Sequence, residues 1–242
     1  MTAKPTITSS SNPRIKRIAQ LCQRAKSRRR EGLFVVEGKK MFQEAPPEWV
    51  REVYLSESLA ASDPELAEQA MEFPCEIASD AVFRQISDTV TPQGVLVLLA
   101  VPEYSQEKVL SGDGLYVVLE DLQDPGNMGT ILRTAEGAGV DGILLTKGCV
   151  DLFNPKVVRA TMGSIYRMPF LFFEDIDDAA KALKEAGIRT YAAHLAGSRS
   201  YDEISYKEGA AFLIGNEGNG LSEKAGCAAD TLIRIPMLGK VE

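Results

Sequence analysis

A chain of 242 residues, 45% of them hydrophobic, carries enough apolar material for one large domain or two ordinary ones. No 18-residue apolar run suggests a membrane span, and the polar start of the chain has no signal-segment character, so a cytoplasmic location is expected. Four cysteines without a close pair, at 22, 75, 149 and 227, fit neither a zinc site nor a disulfide framework, and a lone histidine, His194, excludes a multi-histidine metal site; no metal is expected. The net charge of −7 conceals a segregation: residues 1–40 hold eleven Lys/Arg against two Glu, or +9, while the remainder carries −16. A polyanion would be drawn to the first part and repelled by much of the second.

In chain order, Ser11 or Asn12 caps a helix with Pro13 in its first turn. Ile15, Ile18, Ala19, Cys22 and Ala25 then recur at helical spacing among Arg14, Lys16, Arg17, Arg24 and Lys26. After Arg28-Arg29-Arg30 the pattern predicts a short strand, Leu33–Val36, and a helix beginning near Glu37. Strands follow at Val53–Leu55, Cys75–Ala78 and Gly94–Ala100, with helices at Asp63–Met71 and Ser79–Ile86. The polar, Pro-containing stretch from Val101 to Lys108 reads as a linker. Beyond it, strands are expected at 115–120, 142–146, 169–173, 189–193, 211–215 and 231–235, alternating with helices that include Asn127–Gly139 and Asp175–Ala186. Such alternation argues for a parallel sheet covered on both sides. The expected division is 1–102, a linker at 103–112, and 113–242.

Two glycine-bearing strand-to-helix junctions stand out, Asp124-Pro-Gly-Asn-Met-Gly-Thr-Ile-Leu-Arg133 and Gly215-Asn-Glu-Gly-Asn-Gly-Leu-Ser222. Open α/β sheets bind ligands beyond the carboxyl ends of their strands, where glycine lets a backbone approach closely. Arg133 and Glu217 would then stand on opposite walls of one site.

These residues carry a resemblance. Asn127-x-Gly129-x-x-x-Arg133 resembles the first motif of the SpoU (TrmH-like) branch of the SPOUT RNA methyltransferases. Gly215-Asn216-Glu217-Gly218-x-Gly220-Leu221 resembles the second, and Ile235-Pro236-Met237-x-Gly239 the start of the third. In addition, Ser9–Lys16 and Gly32–Gly38 resemble the RNA substrate-binding domain attached to many SpoU enzymes, a ribosomal-protein-like fold. The resemblance implies an α/β architecture in which a small N-terminal RNA-binding domain precedes a parallel-sheet methyltransferase domain whose C-terminal segment forms a trefoil knot. It further implies methyl transfer from S-adenosylmethionine to a ribose 2′-hydroxyl of RNA, most readily ribosomal RNA, and a homodimer at full length.

Carried onto this chain, the resemblance makes Arg133, Asn127 and Glu217 the catalytic residues. Arg133 would grip the neighbouring phosphate, orient the ribose and stabilise the developing alkoxide, because a guanidinium is a poor free base. Asn127 would orient Arg133 or contact RNA while capping its helix, and Glu217 would pair with the first motif or hold substrate. Cofactor contacts fall to Leu195, Gly197, Gly215, Asn216, Gly218, Gly220, Ile235 and Met237. Phe153–Lys156 and Ala160–Ser164 also match family segments and would shape the RNA side of the cleft. Arg14, Lys16, Arg17, Arg28, Arg29, Arg30 and Lys39 would meet RNA phosphates in a salt-dependent way.

The family's third motif continues into Ser-Leu-Asn and a final helix, whereas this sequence stops at Glu242. Weak cofactor binding, little activity and weak dimerisation are therefore expected of residues 1–242. The competing expectation is a non-catalytic RNA-binding protein on the same scaffold. A dinucleotide or phosphate-loop enzyme is disfavoured, because no Lys-Ser/Thr phosphate loop is present and the glycines after Gly215 sit in the wrong context for a dinucleotide fingerprint.

Overall fold

Asn12 and Pro13 start the first helix for the chemical reasons the sequence suggests. The Asn12 side chain accepts the Arg14 N–H at 2.9 Å, and Pro13 occupies the first turn, where a missing N–H costs nothing. This computed structural model describes residues 6–194, 197 and 199–236. Helix α1 (Pro13–Gln23) buries Ile15, Ile18 and Leu21, and α2 (Ala25–Glu31) follows. Next come β1 (Leu33–Glu37), α3 (Lys39–Gln43), β2 (Val50–Ser56), α4 (Glu57–Ser62), α5 (Pro64–Met71), β3 (Cys75–Ala78), α6 (Asp80–Ile86) and β4 (Val95–Ala100). The strands order as β1-β4-β2-β3; β4 runs antiparallel to both neighbours, while β2 and β3 are parallel. One face of this sheet is covered by Ile15, Ile18 and Leu21 of α1 and by Val82, Phe83 and Ile86 of α6.

A short helix, α7 (Gln106–Val109), interrupts the stretch expected to be a linker. The chain then continues through β5 (Leu115–Leu119), α8 (Pro125–Gly137), β6 (Gly142–Thr146), α9 (Pro155–Thr161), β7 (Phe170–Phe173), α10 (Ile176–Glu185), β8 (Arg189–Ala193), β9 (Arg199–Ser200), β10 (Ala210–Ile214), α11 (Glu223–Ala228) and β11 (Thr231–Arg234). Seven strands form one sheet, ordered β7-β6-β5-β10-β8-β11-β9, with every pairing among the described residues parallel. The protein is thus α/β, with a small mixed sheet ahead of a large parallel one. Tyr116, Val118, Leu144, Leu213 and Ala192 face α10 and α11 and form the second core.

The chain folds as two compact units. The first runs to Pro102 and recruits Asp151–Tyr166; the second comprises Glu103–Val150 and the chain from Arg167 on. Alternation along β1 turns Phe34 and Val36 away from α1, and the recruited segment covers that face. Phe153 packs on Phe34 with ring centroids 4.8 Å apart, the Tyr166 hydroxyl donates to the Met41 carbonyl at 2.8 Å, and Leu152, Val157 and Ile165 are fully buried. No helix among the described residues is long and apolar enough to cross a membrane. The knot implied by the resemblance would involve residues 237–242, which lie outside the described residues.

Candidate active site

Strand β5 is the first strand of the large sheet, and the chain builds outward from it in both directions, to β6 and β7 on one side and to β10 and β8 on the other. The carboxyl ends of β5 and β10 therefore meet at a topological switch point, the place where such sheets open a crevice for ligands. Both glycine-bearing loops leave the sheet there.

Helix α8 begins at Pro125, two residues before the expected start, because Asp124 rather than Asn127 is its cap. The Asp124 carboxylate accepts the Asn127 N–H at 2.8 Å, and Pro125 fills the first helical position. The expectation that Asn127 caps this helix is corrected accordingly. Its side chain turns instead to Glu217, its amide donating to Oε1 at 3.2 Å. The same carboxylate accepts the backbone N–H of Asp124 at 2.9 Å and of Gln123 at 3.1 Å. Desolvation alone would raise the Glu217 carboxyl. The backbone N–H groups of Asp124 and Gln123, its own N–H and the Asn127 amide prevail, pushing it down to about 2. Glu217 is thus a fixed anion that clamps one motif loop to the other.

The clamp is reinforced twice more. Asn216 donates to the Asp121 carbonyl at 2.8 Å, while its own side-chain oxygen takes the N–H groups of Gly218 and Asn219. Glu120, buried at the end of β5, accepts both the N–H and the hydroxyl of Ser222 at 2.8 and 2.6 Å, and Ser222 in turn caps α11. Asp121 sits at φ 52 and accepts the Thr146 hydroxyl at 2.9 Å, which ties in the loop after β6. Glu120, Asp121, Gln123 and Ser222 were not among the expected site residues. A carboxylate closing an otherwise apolar strand, as Glu120 does, was the available signal.

Arg133 lies in the third turn of α8, exposed, and makes no hydrogen bond or ion pair among the described residues. The geometry brings Asn127 to Glu217 but does not bring either to Arg133. Gly215 and Gly220 have a local structural reason: their residues close a tight antiparallel turn through Asn216 N–H to Gly220 O at 3.0 Å and its reciprocal at 2.9 Å, and a Cβ at Gly215 would stand 2.1 Å from the Gly220 carbonyl carbon. Gly197 is buried where a Cβ would stand 2.5 Å from the Ile233 carbonyl carbon. Gly218 and Ile235 are exposed on the rim. Leu195 and Met237, two of the expected cofactor contacts, lie outside the described residues. The loops after β10, β8 and β11 leave neighbouring parallel strands at one sheet edge, so the described members of the cofactor set share an edge with the clamp.

Comparison with known proteins matches this arrangement to a family. The sequence model described as the SpoU rRNA Methylase family matches residues 114–242, and that of the MRM3-like substrate binding domain matches residues 12–97. The chain belongs to the SpoU rRNA methylase family. It is 30% identical over 239 residues to the Bacillus subtilis 23S rRNA (guanosine(2553)-2′-O)-methyltransferase RlmP, spanning 98% of this chain and 92% of that one. It is 48% identical over 90 residues to human mitochondrial rRNA methyltransferase 3, which covers 35% of this chain and 21% of the relative. An AdoMet-bound rRNA methyltransferase from Sinorhizobium meliloti superposes with a TM-score of 0.86 at 30% identity, over 98% of this chain and 91% of that one.

In this SpoU methylase the expected RNA contacts of the first unit separate into three groups. Lys16 and Arg29 are exposed with no acidic partner among the described residues, as are Arg24 and Lys26; Arg30 is exposed beside Glu31 at 3.0 Å. Arg14, Arg17 and Lys39 are paired with Glu76, with Glu31 and Glu52, and with Asp63 respectively, so their charge is largely neutralised locally. Arg28 is a correction. Only 4% of it is exposed, and its guanidinium is spent inside the unit on Asp151, the Leu21 carbonyl and the Cys22 carbonyl. Its place in α2 turns it inward while Arg29 and Arg30 point to solvent, a distinction no run of three arginines can reveal.

Proposed function

We propose that this protein transfers a methyl group from S-adenosylmethionine to a ribose 2′-hydroxyl of ribosomal RNA. The observation that carries the reading is the Glu217 carboxylate, held by Gln123, Asp124 and Asn127, which joins the two family motifs at the switch point of the parallel sheet. The described loops suit such a donor. Gly218 and Gly220 are exposed, and a Cβ at Gly220 would meet nothing within 4 Å, so a flat ring has room to approach main chain. When bound, the donor supplies an electrophilic methyl on sulfonium.

The chain's own residues do the rest. Glu217 and Asn127 keep the motif loops in one fixed geometry, so that alignment is set before substrate arrives. Arg133, exposed and free of carboxylate partners among the described residues, is available to a phosphate or to the oxygen on which negative charge develops. Lys16, Arg24, Lys26 and Arg29, exposed and without acidic partners among the described residues, would hold RNA by its backbone. A homodimer belongs to the same reading, as the family resemblance implies. Light scattering of the purified protein tests the dimer. Methyl transfer from labelled S-adenosylmethionine to ribosomal RNA, with the labelled position mapped, tests the activity. Bound RNA that never becomes labelled would favour a non-catalytic RNA-binding role.

A further inference from the structure

Arg28 and Asp151 form the most buried ion pair among the described residues, with 4% and 16% of their side chains exposed. Their sequences belong to different family segments, Arg28 to the substrate-binding match and Asp151 to the methylase match, yet both lie in the first unit. The guanidinium donates to Asp151 Oδ2 through Nε at 2.8 Å and Nη2 at 2.5 Å, and through Nη1 to the Leu21 and Cys22 carbonyls at 2.6 and 3.1 Å. Those carbonyls end α1 and need outside donors. A buried pair of this kind adds little net stability, and its attested use is to select one arrangement over others.

The arrangement it selects places Asn154, Pro155 and Lys156 against Ala19, Cys22 and Gln23 of α1 and against Gln85–Asp88, which together line one groove. Its cationic lining residue, Lys156, is available. Lys156 is exposed with no acidic partner among the described residues, and Lys16 stands one turn before Ala19 on α1. Arg159, by contrast, is paired with Asp88. The amides of Gln23 and Gln85 offer both donors and acceptors beside these charges. In a protein of net charge −7, a groove lined by the unpaired Lys156 and by the Gln23 and Gln85 amides, with its Asp88 already paired to Arg159, suits a phosphate-bearing chain with exposed base or ribose edges.

We infer that the RNA-contacting surface of the first unit is composite: segment 151–166, encoded within the methylase half, supplies Lys156 to it, and Arg28 and Asp151 are positioning residues that latch the segment to α1. This rests on the RNA methyltransferase reading above. The test uses the whole chain with a ribosomal RNA transcript. Lys156→Ala, a surface change, should weaken RNA binding several-fold and lower the slope of log affinity against log salt by about one, with S-adenosylmethionine affinity and Tm unchanged. Asp151→Asn should raise KM for RNA about tenfold with kcat within about twofold, and Arg28→Lys, which keeps the charge, should lose less than Arg28→Ala. Trp49, the chain's only tryptophan, stands 6.1 Å from Tyr166 within the recruited segment, so its emission should shift in Asp151→Asn and not in Lys156→Ala. An unchanged affinity and salt slope in Lys156→Ala overturns the composite surface, even if methyl transfer proceeds normally. Loss of kcat and cofactor binding in Asp151→Asn in proportion to RNA binding overturns the latch. A reduced slope in a protein that methylates no RNA would uphold the surface and sink the catalytic reading instead.

Discussion

At the scale of single residues, Glu217 and Arg133 do different work. Glu217 holds the loops together as an anion, with its carboxyl pushed down to about 2 by the hydrogen bonds it accepts. A carboxylate depressed in this way contributes stability that is fully present above its unfolded pKa, about 4.3, and is lost as pH falls through the folded value. Glu217→Gln should therefore lower Tm at neutral pH, and the gap from wild type should close as pH falls from about 4.3 toward 2. A gap that stays constant across that range would show that the charge is not what clamps the loops. Arg133 has no structural partner among the described residues. Arg133→Ala should then leave Tm and cofactor affinity nearly intact while reducing methyl transfer on the order of 100-fold or more, which turnover measurements would check. Near-normal turnover would remove Arg133 from the centre of the chemistry.

At the scale of elements, the turn at Gly215–Gly220 separates backbone need from ligand need. A Cβ at Gly215 collides with the Gly220 main chain at 2.1 Å, whereas one at Gly218 approaches nothing closer than Asn216 Oδ1 at 3.5 Å. Gly215→Ala should lower Tm and loosen the clamp; Gly218→Ala should preserve Tm, so any loss of S-adenosylmethionine affinity in it reports contact with ligand. Calorimetric titration and thermal melts of the two variants distinguish these roles. The same stretch shows what sequence could and could not convey. The apolar runs of β5, β6 and β10 and the Asn12-Pro13 helix start are local signals, legible without a structure. The start of α8 was misread by two residues because Asn127 and Asp124 are both good caps, and only Pro125 at the first helical position decides between them. The Glu217 contacts span more than ninety residues of sequence, so spacing alone could suggest a shared site but not who bonds whom.

At the scale of the whole molecule, pattern suggested two successive α/β blocks, and the two sheets bear that architecture out. What pattern does not show is the excursion of residues 151–166 into the first unit, because Leu152, Val157 and Ile165 would look equally apolar wherever they packed. Each such side chain contributes roughly 1.5–3 kcal/mol on burial, and Phe34 and Val36 depend on the same contact. A fragment ending at Pro102 should consequently expose that face of β1 and melt below the intact protein, which dye binding and circular dichroism would register. The charge on the first unit behaves similarly: neutralising Arg29 alone should flatten the salt dependence of RNA binding, whereas changing the buried Arg28 should act through structure. Whether the clamped motif loops serve ribose methylation of ribosomal RNA can be read from the position of a transferred label. Methyl-labelled S-adenosylmethionine is supplied with ribosomal RNA, and the labelled nucleotide is digested to locate the methyl group. Label is expected on a ribose 2′-oxygen, leaving the adjoining phosphodiester resistant to alkali, with little label from Arg133→Ala. Label on a base, or no label on ribosomal RNA from protein that binds the cofactor, would contradict that expectation.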